Sequence, residues 1–360
     1  MITFLLWSKH AWDTTFVGPI LSFFSLKPWH RLGSLTFMMA VLMISLNDAL
    51  GADNQPQTLS FRSFETTRLK STGGSGIASI LMDEASLLNP ASVAFFQASS
   101  IYLQKGGGEF KTESGIPQSQ VGQAALGDKL NSLALIASDG NNKLSGSVSF
   151  IQQREGDAKR RQWGLASASA IGSKTALGFT SILQKDELPH KARIKRWHFN
   201  IGILHALDEN LSIGLVALDP WKRNDPLPQA NLILGMQYVY QRSIAIMFDV
   251  GSNFYQNLND YLVARGAIQL KVLKDLFLRV GAFDDRGKQE RGSGIGIGWA
   301  GPKLVFELAI KNTKIYRSNP AMSQAATASD TILVNQANAN AAAPSAPTLH
   351  ESSFSMAYHF

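Results

Sequence analysis

The chain has 360 residues, of which 45% are apolar and 17% charged, with 30 glycines, no cysteine and a formal net charge of +7. The lack of cysteine excludes a disulfide scaffold and any thiolate metal site. Beyond the N-terminus no run of about 18 apolar residues occurs, which argues against a helical membrane protein. The basic residues are spread along the chain and no segment concentrates them, so the composition predicts no nucleic-acid binding.

The N-terminus has the pattern of an export signal. Lys27, His30 and Arg31 precede an apolar run at residues 32–46, and small residues then lead into a polar stretch. A basic flank, an apolar core and small residues before a polar start are typical of a secretory signal peptide. We therefore predict that residues 1–52 are a signal peptide with an extended N-terminal region. A permanent N-terminal membrane anchor is the alternative.

The next segment, residues 53–98, is predicted to form short helical pieces rather than a strand. Ile77 and Ile80 are spaced as on a helical turn. Asp83 is a candidate N-cap, because its carboxylate can accept hydrogen bonds from the first free backbone N–H groups. Pro90 is predicted to end the helical turn, because proline has no N–H to donate.

From residue 99 onward the sequence predicts strands with alternating faces. Leu304 and Phe306, for example, alternate with Glu307. A membrane-spanning strand needs about 9–11 residues and alternates lipid-facing with lumen-facing side chains. The candidate segments lie near residues 99–105, 131–138, 144–152, 162–170, 174–184, 194–205, 211–218, 229–239, 242–250, 261–270, 275–283, 293–300, 303–311 and 351–360. We predict an all-β transmembrane outer-membrane β-barrel of about 14 antiparallel strands over residues 99–360.

The predicted connections alternate in length. Those after even-numbered strands are short, and most of those after odd-numbered strands are longer. Long outer loops are predicted at residues 153–161, 185–193 and 284–291, and a mobile, low-charge outer loop at about residues 312–350. Outer-membrane barrels have short periplasmic turns and longer outer loops. The even strand number then predicts that both chain ends lie on the periplasmic side.

The segment before the first strand resembles the N-terminal region of FadL-type barrels, the long-chain fatty-acid transporters, and of the related PorV-like proteins. In these barrels a Gly-rich start leads to an acidic stretch with Ala-Ser and then to Asn-Pro-Ala. The matching residues are Gly73, Gly74, Gly76, Asp83, Glu84, Ala85, Ser86, Asn89, Pro90 and Ala91. The resemblance implies that residues 53–98 fold into the barrel lumen as a hatch.

Five charged residues on predicted lumen-facing positions are candidates for a functional site. They are Arg196, Asp249, Arg265, Arg279 and Glu307, and we predict that they form a ladder of charges in the lumen. An Arg or Lys that faces lipid at mid-membrane costs about 2–4 kcal/mol, so these side chains are predicted to point inward. One interpretation is a salt-bridge network that braces barrel and hatch, with Asp83 or Glu84 near the arginines. The other is a binding site for a substrate carboxylate or polar head group.

Residues 292–298 place four glycines on one face of a predicted strand. These are Gly292, Gly294, Gly296 and Gly298. A face without side chains lets another backbone approach closely, or lets the strand bend. We interpret it as room for the hatch, with a kink that opens a lateral path as the alternative.

The C-terminal strand carries a face of large side chains, Phe354, Met356, Tyr358 and Phe360. An amphipathic last strand that ends in an aromatic residue resembles the signal by which the barrel-assembly machinery recognises its clients. We therefore predict this machinery, outer-membrane lipid and lipopolysaccharide as partners, and the outer membrane of a Gram-negative-type bacterium as the location.

The motifs of common catalytic sites do not occur. The sequence has no G-x-S-x-G elbow, no H-E-x-x-H and no phosphate-binding loop, and its seven histidines are dispersed. We predict no catalytic residues, no metal and no cofactor, although a Ser/His lipase site needs no local motif and stays open. The family resemblance implies passive uptake of small hydrophobic or amphipathic, fatty-acid-like molecules. Two further roles stay open, a PorV-like barrel that anchors or shuttles secreted proteins and a general polar pore.

The export signal makes a direct prediction about the mature protein. Cleavage after the apolar run is expected near Gly51 or Ala52, because Ala49 supplies a small residue upstream. N-terminal sequencing of membrane-extracted protein measures this. Retention of residues 32–46 in the membrane form would contradict the signal-peptide prediction.

Overall fold

The computed structural model describes residues 62–80, 85–96, 99–111, 129–140, 145–189, 193–221, 230–255, 258–315 and 348–360. The predicted signal peptide and the acidic pair Asp83 and Glu84 lie outside the described residues. In the described part of the chain, the helices are all too short or too polar to cross a membrane.

Within the described residues, fourteen antiparallel strands form a closed barrel. They are β1 Ser100–Lys111, β2 Lys129–Asp139, β3 Ser145–Glu155, β4 Ala158–Ala170, β5 Thr175–Glu187, β6 Ile194–Ala206, β7 Leu211–Leu218, β8 Leu232–Tyr240, β9 Ile244–Ser252, β10 Val263–Lys271, β11 Leu276–Asp285, β12 Glu290–Ala300, β13 Leu304–Ile315 and β14 Thr348–His359. Each strand pairs with its neighbours in the chain, and β1 pairs with β14 to close the barrel, with Ser100 opposite His359. The predicted barrel of about 14 antiparallel strands is confirmed.

The two faces of the strands differ sharply in polarity. On β13, Leu308 and Ile310 are 54% and 55% exposed, whereas Glu307 and Lys311, beside them in the strand, are 3% and 6% exposed. The same alternation gives most strands an exposed apolar outer face. Soluble monomers rarely expose contiguous apolar patches larger than roughly a few hundred Å². The barrel exterior is therefore suited to lipid, and polar side chains such as Glu307 and Lys311 point into the lumen.

Several strands continue beyond their predicted ends, so the predicted long loop at residues 153–161 is wrong. β3 reaches Glu155 and β4 begins at Ala158, which leaves a two-residue tip, Gly156 and Asp157. The prediction ended each strand where charged residues begin. In the barrel such residues stay in the ladder because they pair across strands, as Arg160 Nε does with Asp186 Oδ1 at 2.8 Å.

Further predicted boundaries need the same correction. Of the predicted loops at residues 185–193 and 284–291, residues 188–193 and 286–289 lie between strands. The predicted loop at about residues 312–350 is shorter, because its ends belong to β13 and β14; residues 316–347 lie outside the described residues. β1 extends past its predicted end at residue 105, to Lys111.

The N-terminal part of the described chain lies inside the barrel. We call residues 62–80 and 85–96 the luminal segment. It contains a short helix, α1 Thr67–Ser71, and two 3₁₀ helices, Ala85–Leu87 and Pro90–Phe95. α1 contacts β11–β14, whereas the second 3₁₀ helix contacts β3–β6 on the other side of the barrel. A segment that touches opposite walls of a closed barrel lies in its lumen.

The luminal segment runs from one rim of the barrel to the other. Arg62 Nη1 pairs with Glu290 Oε1 at 2.9 Å, at the rim where the strands are joined by the longer connections. Phe96 packs edge-on against His359, at the short-turn rim. The first and last barrel strands thus begin and end at the short-turn rim, at Ser100 and His359, whereas the luminal segment starts at the opposite rim.

The first 3₁₀ helix ends at Leu87, ahead of Pro90, in agreement with the predicted end of the helical turn. Asn89 is the N-cap of the second 3₁₀ helix, and its Oδ1 accepts a hydrogen bond from Ala91 N at 3.0 Å. In addition, Pro90 begins this second 3₁₀ helix. Proline suits the first helical position because its missing N–H has no intrahelical partner there.

Barrel assembly is expected to depend on the aromatic face of β14. Phe354 and Phe360 are 46% and 69% exposed, and the Tyr358 and Phe360 rings are in edge contact at 5.1 Å. Changing Phe354, Tyr358 and Phe360 to Ser is expected to abolish insertion, because it removes both lipid contact and the terminal aromatic signal. Heat-modifiable migration on gels measures folding.

A matched control removes equally exposed apolar side chains from a different part of the barrel. Met236, Tyr238 and Phe248 face outward on β8 and β9 and are 46%, 41% and 48% exposed. Their triple Ser variant is expected to insert, with reduced stability. If both variants lose heat-modifiable migration equally, the terminal strand carries no special signal.

Candidate functional site in the barrel lumen

Three glycine pairs in the barrel wall receive the luminal segment. In each pair the two glycines are cross-strand partners that face inward: Gly178 with Gly202, Gly214 with Gly235, and Gly281 with Gly294. A Cβ atom at these positions would overlap, in order, Pro90 and Asn89, Ile77, and Thr72 and Lys70. Because only glycine lacks a Cβ, these positions let the backbone of the segment touch the backbone of the wall.

The glycine-rich face of β12 is one side of this contact. Gly294 lies against the carbonyl oxygen of Lys70, and Gly296 lies against Ser71. β12 pairs without interruption with both neighbouring strands from Glu290 to Trp299. The geometry therefore favours the interpretation as room for the N-terminal segment over the alternative of a kink that opens a lateral path.

A buried triad of charges joins α1 to the wall. Glu307 Oε1 accepts from Arg279 Nη1 at 3.0 Å and from Arg68 Nη2 at 3.1 Å. Ser355 donates to the other carboxylate oxygen at 3.4 Å, and Arg279 Nε donates to Gln269 Oε1 at 2.7 Å. Removal of one partner from a buried ion pair strongly destabilises the folded state, because the other charge stays desolvated. The triad thus connects α1, β11 and β13.

Two further ion pairs hold the same end of the luminal segment. Lys70 Nζ lies 2.8 Å from Glu351 Oε1, and Lys311 Nζ lies 2.6 Å from Glu65 Oε2. Burial alone would raise the pKa of Glu65, but the neighbouring Lys311 ammonium outweighs it together with weaker contributions from other cations, so the pKa is lowered. Glu65 is therefore charged at neutral pH.

Asp249 holds the middle of the segment. This carboxylate is fully buried, and its Oδ2 accepts from Gly76 N at 2.7 Å and from Ile77 N at 3.2 Å. Arg265, its cross-strand partner, donates from Nη1 to Gly74 O at 3.1 Å. The two side chains thus satisfy backbone groups of a turn that would otherwise be buried without partners.

The turn itself requires glycine. Gly73, Gly74 and Gly76 have φ values of 62°, 83° and 144°, in a region that side chains with a Cβ rarely adopt. Asn89 closes the next turn, because its Nδ2 donates to Ile77 O at 2.8 Å. Ala91 is fully buried beside the Gly178 pair. The motif residues that the structure describes therefore lie at the contact between segment and wall.

The five predicted luminal charges do not form one ladder. Asp249 and Arg265 are cross-strand partners, but Arg265 lies opposite Phe283, and Arg279 lies opposite Gln269. Arg279 instead pairs with Glu307. Arg196 lies on β6, opposite Gln184, and among the described residues it forms no salt bridge with the other four. The predicted ladder is therefore two separate groups, with Arg196 apart from both.

Several contact residues were not predicted from the sequence. They are Glu65, Arg68, Lys70, Lys311, Glu351 and the glycine pairs on β5–β8. The glycines carry a signal, because each lies at an inward position of its strand. No sequence pattern identifies the charged contact residues, because the path of an irregular segment does not follow from the periodicity of its side chains.

The described residues contain no group of three or more His, Asp or Glu side chains that could hold a metal ion. What the luminal site does contain is a set of short-range ionic and backbone contacts between an irregular segment and a regular wall. These contacts hold the segment across the lumen, from one rim to the other.

The glycine pairs predict a clear effect of adding side chains. Gly294→Val is expected to displace α1, because the new side chain would occupy the position of Lys70 O, while the strand itself tolerates valine. Limited trypsin digestion should then cut after Arg68 and Lys70 in a barrel that keeps its heat-modifiable migration. Gly266→Val is the control, because the nearest atom to a Cβ there is 3.9 Å away. Equal protection of α1 in both variants would contradict the role of the glycine pair.

Comparison with known proteins gives a result for structure only. No family model matches the chain, and no curated protein sequence matches it. Among solved structures, the monoaromatic hydrocarbon channel CymD superposes with a TM-score of 0.56 at 11% identity, over 82% of this chain and 97% of that one. The toluene transporter TodX of P. putida gives 0.52 at 10% identity, over 81% and 97%. A FadL homologue of Pseudomonas aeruginosa gives 0.50 at 12% identity, over 82% and 97%. The chain therefore has the fold of the FadL-type barrels.

Proposed function

We propose that this protein is an outer-membrane channel for the passive uptake of small hydrophobic or amphipathic molecules. The observation that carries the proposal is the luminal segment, which spans the barrel from rim to rim and fits the wall at three glycine pairs. A lumen occupied in this way is unsuited to steady diffusion of ions and water. Transport then requires a shift of the segment, driven by substrate binding and by the concentration gradient.

The fold supports hydrophobic molecules as the class of substrate. Solved barrels of the same fold are described as monoaromatic hydrocarbon channels and toluene transporters. We extend this chemistry to the present chain, together with fatty-acid-like molecules. The exposed apolar exterior and the aromatic side chains on it suit a lipid bilayer, where hydrophobic substrates also partition. We place the barrel in the outer membrane of a Gram-negative-type bacterium.

The lumen argues against catalysis as the main activity. Asp249, Arg265, Arg279 and Glu307 are engaged by the luminal segment or by each other. These contacts give the charged side chains a structural role. Neither a secretion role nor a general polar pore is favoured by a specific contact among the described residues.

Planar-bilayer conductance tests whether the luminal segment closes the barrel. The wild type is expected to be nearly closed. Arg265→Ala removes the hydrogen bond to Gly74 O and leaves the buried Asp249 carboxylate without its neighbouring cation, so brief openings are expected. Deletion of residues 73–91 should conduct steadily. Arg242→Ala, in an exposed turn, is the control. Identical conductance in all four proteins would overturn occlusion by the segment.

Uptake is measured separately in vesicles. Labelled toluene and labelled oleate should enter wild-type proteoliposomes faster than protein-free liposomes, while labelled glucose should not. Glucose entry at the rate of toluene would indicate a polar pore instead. Co-purification of a secreted protein, without any uptake, would support the PorV-like role.

A further inference from the structure

Three cations lie side by side on the barrel exterior. Arg161 of β4 is the cross-strand partner of Lys185 of β5, which is the partner of Lys195 of β6. All three occupy outward positions, in register with the lipid-facing side chains of the same strands. We call them the basic row. In the sequence these residues are far apart, and only the strand register brings them together.

The basic row places like charges directly opposite one another. Side chains directly opposite on antiparallel strands have Cβ atoms about 4.5–5.5 Å apart, and like charges there repel. Glu187 lies 3.3 Å from Arg161 but also 3.5 Å from Arg193, so it is shared. Among the described residues, it is the one carboxylate on the outer faces of β3–β6. The row therefore has an excess of positive charge that a bound anion would compensate.

Two further cations next to the basic row increase the excess of positive charge. Arg154 and Lys159 are cross-strand partners of each other one step nearer the rim, and both face outward. Lys159 lies opposite Glu187. The patch thus holds five cations on four adjacent strands.

A row of large apolar side chains, which we call the aromatic row, lies next to the basic row on the side nearer the middle of the membrane. Phe150, Trp163, Leu183 and Trp197 are successive cross-strand partners. Lys185 Nζ lies 4.8 Å above the Trp163 ring, which fixes it at this boundary. Tryptophan is enriched where the hydrocarbon region meets the head groups. The basic row is therefore level with lipid head groups, with the aromatic row beside the acyl chains.

The rim identifies the leaflet. The basic row lies toward the rim of the longer connections, whereas Ser100 and His359 mark the opposite rim, where the short turns lie. Short turns face the periplasm in outer-membrane barrels. The row thus lies in the outer leaflet. This step rests on the proposed outer-membrane location, but not on transport.

We propose that the basic row binds the phosphate groups of lipopolysaccharide, through its lipid A part. A ligand for three cations in a row needs several negative charges in one molecule, and it must also carry acyl chains for the aromatic row. A bisphosphorylated, multiply acylated glycolipid meets both requirements. A phosphatidylglycerol head group carries a single negative charge and meets them only in part.

The test compares two variants that lose the same charge. The first is Arg161→Gln with Lys185→Gln and Lys195→Gln. The control is Arg242→Gln with Lys274→Gln and Lys303→Gln, which removes three exposed cations from the short-turn rim. Native mass spectrometry of delipidated protein in detergent, titrated with lipid A, gives the affinities. Since each cation near an anionic lipid surface contributes about 1 kcal/mol, the first variant should bind about a hundredfold more weakly.

The control variant is expected to bind lipid A like the wild type. Equal affinity of wild type and basic-row variant would overturn the proposal, as would an equal loss in the control. Phosphatidylglycerol that binds as tightly as lipid A, or inorganic phosphate that displaces it, would overturn the assignment to lipopolysaccharide. Vesicle uptake of toluene by the same variants separates this proposal from the proposed transport, because the basic row lies outside the lumen.

A second measurement does not depend on folding of the triple variant. Lipid A binding to wild-type protein should weaken steeply as ionic strength rises toward about 1 M, because salt screens exposed charges. An affinity that is independent of salt would show that acyl contacts alone hold the lipid and would overturn the role of the basic row.

Discussion

The position of the luminal segment depends on close contact between its backbone and the backbone of the barrel wall at the three glycine pairs. A segment with little regular structure of its own is positioned by a wall that lacks side chains where the segment touches it. Polar groups of an irregular backbone must find partners when they leave water. Asp249 and Asn89 supply such partners at the turn. The glycines therefore determine where the segment fits, and these two side chains determine its conformation there.

Buried charge then fixes the register of the segment against the wall. The triad around Glu307 and the pairs at Lys70 and Glu65 each join the first turn of the segment to β11–β14. Buried ion pairs contribute little net stability relative to apolar contacts, but an unpaired member is costly. A shift of the segment by one residue would separate all three groups at once. The ion pairs thus stabilise one position of the luminal segment against the wall and disfavour positions shifted along it.

Sequence reasoning predicted the barrel because the alternation of lipid-facing and lumen-facing residues has a period of two in every strand. It placed the strand ends badly where charged residues such as Arg160 continue the ladder beyond the apolar band. It identified the glycine face of β12, which is local, but not the pairing of Gly178 with Gly202, which needs the register. The three residues of the basic row are separated in the sequence and become neighbours only in the folded sheet.

The path of the luminal segment has a consequence for the order of assembly. The luminal segment, as described, begins at Arg62 beside the long-connection rim and ends at Phe96 beside the short-turn rim, just before β1. The ring around it closes where β1 meets β14, the two strands farthest apart in the chain. The segment is therefore threaded through a loop of its own chain, and the simplest order of events has it in place before that seam closes. After closure, the whole segment can leave only by being pulled lengthwise through the barrel or by parting the seam. Local shifts of individual turns need neither.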